Sequence, residues 1–455
     1  MRSDANVKPV IELSPTAVAE AQACVQCGLC LPACPTYLET GDEGHSPRGR
    51  INLMLGLHRG EVDPTPGRGG VTHHLDACLG CRACEPACPS GVTFHTVIDD
   101  ARGRLADANA LPDSLARRRL RWFLNHVVTD PRRLRRWLLP ARLAQRTGVL
   151  AVARALGLTR LLPTPARRME RLLGDGPVWP TPLPEHSRGR GVERFMGAIN
   201  PDVADDREPV KIGFLPGCVG DALNGDVNRK AAELLCAAGA DVYVPRAEQA
   251  RCCGAIPQHN RAPDLAADLA REVIEAFEDC DLVCTTIAGC GAHLRELPEV
   301  LADDGAWRDR AAAFSAKVRD VSEALLSLEL PTPKHALGLT AAYHAACHLH
   351  HAQPPEAGDA TRRLLALVPG LTVIDAPEAE LCCGAAGSYS LEHPTMADDL
   401  GRRKLRHLDA TAADVLVMAN VGCAQHVAAV ARDREETRTI LHPVELLHTA
   451  IFGES

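Results

Sequence analysis

Two copies of one cysteine run, CVQCGLCLPACP and CLGCRACEPACP, constrain this chain more than any other feature of it. The first supplies Cys24, Cys27, Cys30 and Cys34 followed by Pro35, and the second Cys78, Cys81, Cys84 and Cys88 followed by Pro89. The chain holds 19 cysteines in 455 residues, nearly all grouped with small residues, Pro or Gly at short spacings. A disulfide-stapled secreted scaffold is normally much shorter, so these cysteines read as metal ligands in a reducing compartment.

Both runs match the bacterial pattern for 4Fe-4S clusters. Three thiolates two residues apart can wrap three irons of a cube in a tight turn, while the fourth points away. In two-cluster ferredoxins that fourth cysteine ligates the other cluster. One cluster is therefore expected on Cys24, Cys27, Cys30 and Cys88, and the other on Cys78, Cys81, Cys84 and Cys34. Gly28 and Gly80 keep the loops slim near sulfur, and each Pro redirects the chain. The competing reading is zinc at Cys-x-x-Cys pairs, which requires four thiolates but neither the doubled pattern nor its terminal Pro. The following SPRGR places Arg48 and Arg50 either to tune a cluster by positive charge or simply to begin a helix.

The rest of the chain divides by pattern. Length alone predicts about three domains at roughly 100 to 200 residues each. Residues 1–100 form the two-cluster domain, mainly helical, with a Gly/Pro-rich loop, DPTPGRGG, between the runs. Residues 101–210 read as a helical connector with Pro-rich breaks, ending in a linker around VWPTPLPEHSRGRG. From Lys211 onward, β-branched runs alternate with helical ones: VKIGFLPGC, ADVYVPR, DLVCTTIAGC, LTAAYHAAC, LTVIDAP and ADVLVMANVGC. That alternation predicts α/β layers with a largely parallel sheet and ligands at the carboxyl ends of strands. Cys218, Cys252-Cys253-Gly254 and Cys290 recur in order as Cys347, Cys382-Cys383-Gly384 and Cys423, which predicts two repeated domains over 211–330 and 331–455. The fold class is thus α+β and α/β, multidomain.

Charge and composition remove several functions. A hydrophobic share of 46% with 24% charged residues excludes a disordered or fibrous chain, and the net charge of -8 gives nucleic acid no hold. No apolar run reaches the about 18 residues a membrane span needs, and the N-terminus lacks a secretory pattern, so a cytoplasmic protein is expected. The connector is an exception to the acidic balance: between Leu111 and Arg171, fifteen arginines face only Asp113, Asp130 and Glu170, a local charge of +12. With Trp122, Phe123, Trp137 and Leu138 interleaved, it suits amphipathic helices on anionic lipid at the cytoplasmic face of a membrane, on an acidic partner, or on the protein's own core. There is no GxGxxG opening a helix, no phosphate-binding GxxxxGK, and no nucleophilic triad, so no catalytic residue is assigned.

The adjacent cysteines of RCCGA and LCCGA carry a family resemblance. Vicinal side chains diverge too far to chelate one tetrahedral metal easily, yet they can hold two irons of one cluster, and Gly254 and Gly384 permit a close backbone approach. Each repeat resembles the cysteine-rich CCG domain of heterodisulfide reductase subunits. The whole chain resembles the glycolate oxidase iron-sulfur subunit family, a likeness extending into CPTYLETGDEGHSPRGRI, CPSGVTFH, LCCGAAGSYSLEHP and ANVGCAQH. The resemblance implies an oxidoreductase complex that converts glycolate to glyoxylate, with FAD on partner subunits and this chain relaying electrons to a respiratory acceptor, expected to be quinone. It also implies a site on Cys218, Cys252, Cys253 and Cys290, and another on Cys347, Cys382, Cys383 and Cys423, for a further cluster, a zinc ion or nothing. The family's closing Cys-x-x-Cys is altered here, with His293 and His426 in the last positions. Cys236, Cys280 and Cys284 fall outside the pattern and read as core. His344, His348, His350 and His351 crowd around Cys347 and are expected in hydrogen-bonding or surface roles. The alternatives are the same architecture serving glycerol 3-phosphate, lactate or a heterodisulfide, and a zinc-stabilised scaffold.

Overall fold

Strands buried on both faces need no alternation of polar and apolar residues, and runs after residue 210 such as VLVM have none. In the computed structural model, which describes residues 11–64, 70–111, 114–162, 164–173, 183, 209–434 and 436–453, all six become strands. They are β1 (Lys211–Phe214), β2 (Asp241–Tyr243), β3 (Leu282–Thr285), β5 (Leu339–His344), β6 (Leu371–Asp375) and β7 (Val415–Met418). Two short edge strands complete the set, β4 (Val318–Asp320) and β8 (Ile440–Leu441). The sheets are ordered β2-β1-β3-β4 and β6-β5-β7-β8, and every pairing is parallel. The repeat seen in the cysteines is therefore a repeat of architecture, and the mixed α+β and α/β fold class holds.

Two compact units are present, residues 1–120 with 380–401, and residues 121–379 with 402–455. In the second, both sheets bury one face in a shared core that includes Phe214, Leu235, Tyr343, Val417 and Leu447. The helix Gly225–Ala237 meets the C-terminal helix Pro443–Phe452, where His448 Nε2 lies 2.7 Å from Glu233 Oε2 and Lys230 lies 3.5 Å from Glu445. A second cluster surrounds Phe277, Val283 and Leu215 and encloses Cys252 and Cys253. Cys284 and Cys280 belong to these cores and Cys236 packs against one, as core cysteines should.

The connector is helical where described, in Leu115–Phe123, Pro131–Arg146, Val149–Ala155 and Thr164–Leu172. Asp130 caps the second of these by accepting from the amides of Arg132 and Arg133, with Pro131 at its first position. Within the second unit its cations meet the repeats' acids: Arg135 donates to Asp221 at 2.6 Å, Arg132 pairs with Glu248, and Arg171 pairs with Asp433. The linker VWPTPLPEHSRGRG, except Leu183, the centre of the Gly/Pro-rich loop and Asp113 lie outside the described residues.

The first unit packs the helices Pro15–Gln22, Pro47–His58, Val71–Asp76 and Phe94–Asp107 around Met54, Leu57, Leu75, Val97, Ile98 and Leu105. The segment following the second vicinal pair belongs to this unit. Tyr389 donates to the carbonyl of Ala77 at 3.2 Å, and Asp76 pairs with Arg117 at 2.8 Å and His393 at 3.3 Å. Burial would push the Asp76 carboxyl up, but His393 and Arg117 together hold it well below the usual range.

Gly213, on the central strand β1, faces the ring of Phe277 so closely that an added Cβ would sit 2.3 Å from its Cδ1. Alanine normally improves on glycine in a strand. Here Gly213→Ala should instead cost about 1–3 kcal/mol by overpacking and lower the urea midpoint. A midpoint that stays or rises would mean that Phe277 can turn aside.

Candidate metal centres

In the first unit, the loop from Cys24 follows the helix Pro15–Gln22 and ends at Cys34, which caps the helix Pro35–Thr40 with Pro35 at its first position. The fixed φ of Pro at that position suits a helix start, so the fourth cysteine of the run sits at a defined bend. The two runs meet. Cys24, Cys27, Cys30 and Cys88, with Val25, Gly28, Arg48, Pro89 and Ser90, line a cavity of about 270 Å³, part of it open to solvent. Three of these cysteines come from the first run and one is the fourth of the second, the grouping that crossed ligation requires. On the other side, burial first, and then the neighbouring Cys78, Glu85, Cys34 and Cys30, push the Cys84 thiol well up.

The donor set of the cavity is thiol alone, which suits iron-sulfur chemistry rather than a hard cation. Burial raises the Cys30 thiol as well, followed by weaker contributions that include Cys24 and Cys34. Such thiols stay protonated until a metal displaces the proton. Arg48 lines the cavity, donates to the Gln26 carbonyl at 3.1 Å and pairs with Glu43 at 2.6 Å. Arg50 is buried, its Nη1 4.0 Å from Cys34 Sγ and its Nη2 donating to Thr36 Oγ1 at 3.1 Å. Ser46 also caps the helix Pro47–His58, so SPRGR both begins a helix and sets positive charge beside the cysteines.

The first repeat builds a second thiol cluster wholly within the other unit. Cys218 follows β1 and Cys290 follows β3, on either side of the point where the strand order reverses. Cys218 Sγ lies 3.5 Å from Cys252 Sγ, and although Cys252 lowers it, Cys290 and burial push the Cys253 thiol well above the usual range. All four are buried. The Cys252 thiol and then burial push Cys218 well above the usual thiol range, so metal binding here would also release protons. Gly254 takes a φ of +98°, a left-handed conformation that lets the backbone turn directly after the pair. His293 stands against it, 3.1 Å from where a Cβ would be, with Nε2 buried and unpartnered. Burial lowers this imidazole to about 3 and keeps it neutral, the form that ligates metal. The donor set thus fits a further cluster or zinc, with His293 available beside four cysteines.

In the second repeat, Cys347 follows β5 and Cys423 follows β7, both buried in the second unit, and His426 is also buried there. Cys382 and Cys383 are buried in the segment that belongs to the first unit, with Gly384 at a φ of +90°. His350 does take a hydrogen-bonding role, at 3.1 Å from the Tyr343 hydroxyl. His344 does not. It is 0% exposed, neither ring nitrogen has a partner, and a ring nitrogen lies within 4.8 Å of Cys423 Sγ, so it joins the candidate donors.

Sequence comparison agrees with this inventory. Residues 20–92 match a 4Fe-4S dicluster domain, residues 212–295 and 341–428 a cysteine-rich domain, and residues 116–173 the linker region of the glycolate oxidase iron-sulfur subunit. The probable glycolate oxidase iron-sulfur subunit of Bacillus subtilis is 36% identical over 88% of this chain and 86% of its own length. This chain belongs to the glycolate oxidase iron-sulfur subunit family. The Escherichia coli glycolate oxidase iron-sulfur subunit is 32% identical over 95% of both chains. Lactate utilization protein A of Halalkalibacterium halodurans is 29% identical over 52% of this chain. Family and site together make the protein an iron-sulfur electron-transfer subunit of an oxidoreductase. Among the described residues no helix is long and apolar enough to cross a membrane.

Crossed ligation has a testable signature. Cys34→Ser should impair the cluster bound by Cys78, Cys81 and Cys84 and spare the one bound by Cys24, Cys27 and Cys30, read from paramagnetic spectra assigned with matched mutants in each run. The reverse pattern would contradict the grouping.

Proposed function

We propose that this chain relays electrons in a glycolate dehydrogenase complex, from FAD on partner subunits to a respiratory acceptor, quinone by expectation, as glycolate becomes glyoxylate. The observation that carries this reading is the thiol-only cavity with its outer edge at the surface. Cys27 is exposed, and the neighbouring Val25 and Leu29 are 68% and 59% exposed. A redox partner can therefore approach the site across an apolar rim, which shortens the electron's path. When bound, a 4Fe-4S cluster accepts and gives up single electrons with little rearrangement. The protein's part is to hold it on Cys24, Cys27, Cys30 and Cys88, to hold a second on Cys78, Cys81, Cys84 and Cys34, and to favour the reduced states through Arg48 and Arg50. The cysteines of the first repeat hold a further cluster or zinc in this reading. The domains expected at 1–100, 101–210, 211–330 and 331–455 are retained as functional divisions.

The connector supplies a surface for assembly. Trp137, Val152, Leu156 and Leu161 are exposed, Leu161 at 81%, while Arg132, Arg135 and Arg171 are engaged by the repeats. Exposed apolar side chains beside internally paired cations favour a protein partner over anionic lipid, and we assign this face to the flavin-binding subunits. The protein would then reach the cytoplasmic face of the inner membrane through its complex.

Oxidising a 2-hydroxy acid needs a two-electron acceptor beside the substrate carbon and a base for the hydroxyl proton. The isolated, fully reconstituted chain should be reduced by dithionite yet stay inert toward glycolate with an acceptor dye. Adding the flavin subunits should restore transfer, and Cys27→Ser or Cys81→Ser should block quinone reduction while sparing flavin partial reactions. Glycolate oxidation by the chain alone, free of flavoprotein and at the rate of the complex, would overturn the relay assignment. Reduction of the reconstituted complex by lactate or glycerol 3-phosphate but not glycolate would move it to another substrate.

A further inference from the structure

The first unit contains a group of donors that includes no cysteine. Asp42 caps the short turn Glu43–His45, His45 ends that turn, and His74 lies on the helix Val71–Asp76. One carboxylate oxygen and one nitrogen from each ring all lie within 4.8 Å of one another. His45 is 7% exposed, and its Nδ1 and that of His74 are buried with no hydrogen-bond partner. Two unpartnered imidazole nitrogens in one place are costly unless something fills them. The two rings meet edge to face with centroids 4.6 Å apart, and the His73 ring lies 5.4 Å from that of His45.

We infer that Asp42, His45 and His74 form a zinc site, with the fourth position taken by water or His73. Two imidazoles and a carboxylate suit zinc, and tetrahedral ligands at about 2.0–2.1 Å lie about 3.3 Å apart, so small side-chain rotations would close the present spacing. Arg50 opposes a nearby cation, but its guanidinium is turned to the His74 carbonyl at 2.8 Å, the Thr36 hydroxyl and Cys34, while the Asp42 carboxylate supplies opposing charge.

Hydrogen bonds hold the turn that carries two of these donors. Asp42 Oδ1 accepts from the Gly44 amide at 2.8 Å, and the His45 carbonyl accepts from Thr36 Oγ1 at 2.8 Å. Zinc bound here would join the turn that follows the first cysteine run to the helix that leads into the second. It would act as a structural staple beside the sites that carry the electrons.

The test uses the full chain, reconstituted anaerobically with iron and sulfide so that its thiols are occupied, then given zinc and desalted. One zinc per chain should remain, and its X-ray absorption edge should show nitrogen and oxygen ligands without sulfur. His74→Gln and the surface change Asp42→Asn should each weaken zinc binding by about tenfold or more at unchanged iron content. No retained zinc with a nitrogen and oxygen shell, or unaltered affinity in Asp42→Asn with its iron intact, would overturn the proposal.

Discussion

A buried thiol ionises only at a price in desolvation, unless a cation stands beside it. Burial pushes Cys30 and Cys84 up in the first unit, and the Cys252 thiol with burial does the same to Cys218 in the second. Cys218 is buried among other thiols, and Cys30 and Cys84 are half-buried beside theirs. Metal binding converts that unfavourable crowding into stability, because each thiol gives up its proton to a soft cation. The loops around them are short and end at defined bends, as Cys34 does before Pro35.

The scaffold follows from the same economy of space. Parallel strands buried on both faces need no polar side, and both sheets contribute to one core through residues such as Phe214, Tyr343 and Val417. Cysteines at the carboxyl ends of β1 and β3, and again after β5 and β7, use the usual ligand-bearing edge of an α/β sheet. Part of the connector's charge is a matter of internal fit. Its net +12 belongs to the segment alone, whereas Arg132, Arg135 and Arg171 meet Glu248, Asp221 and Asp433 from the repeats.

Much of this was legible in the chain because its signals are local. An unbroken run such as VLVM can only be a buried strand or helix, and its length and flanking turns decide for the strand. Val318–Asp320 and Ile440–Leu441 escape that logic because edge strands of three and two residues carry no periodicity. The histidines around Cys347 show the limit for sites. His350 finds the Tyr343 hydroxyl as expected, but His344 ends a fully buried stretch of β5 and is carried inward by the strand, which local composition cannot reveal. The grouping of Asp42 and His45 with His74 is beyond sequence reading for another reason: a turn and a helix about thirty residues apart meet only once the unit has packed.

Iron and acid-labile sulfide analysis of anaerobically reconstituted protein shows whether the two cysteine runs carry clusters. Two filled 4Fe-4S sites require about eight iron and eight sulfide per chain, with visible absorption that dithionite bleaches, and iron beyond that would report a filled site in a cysteine-rich repeat. Stoichiometric zinc with no iron or sulfide after the same reconstitution would mean that the runs are zinc sites and carry no electrons.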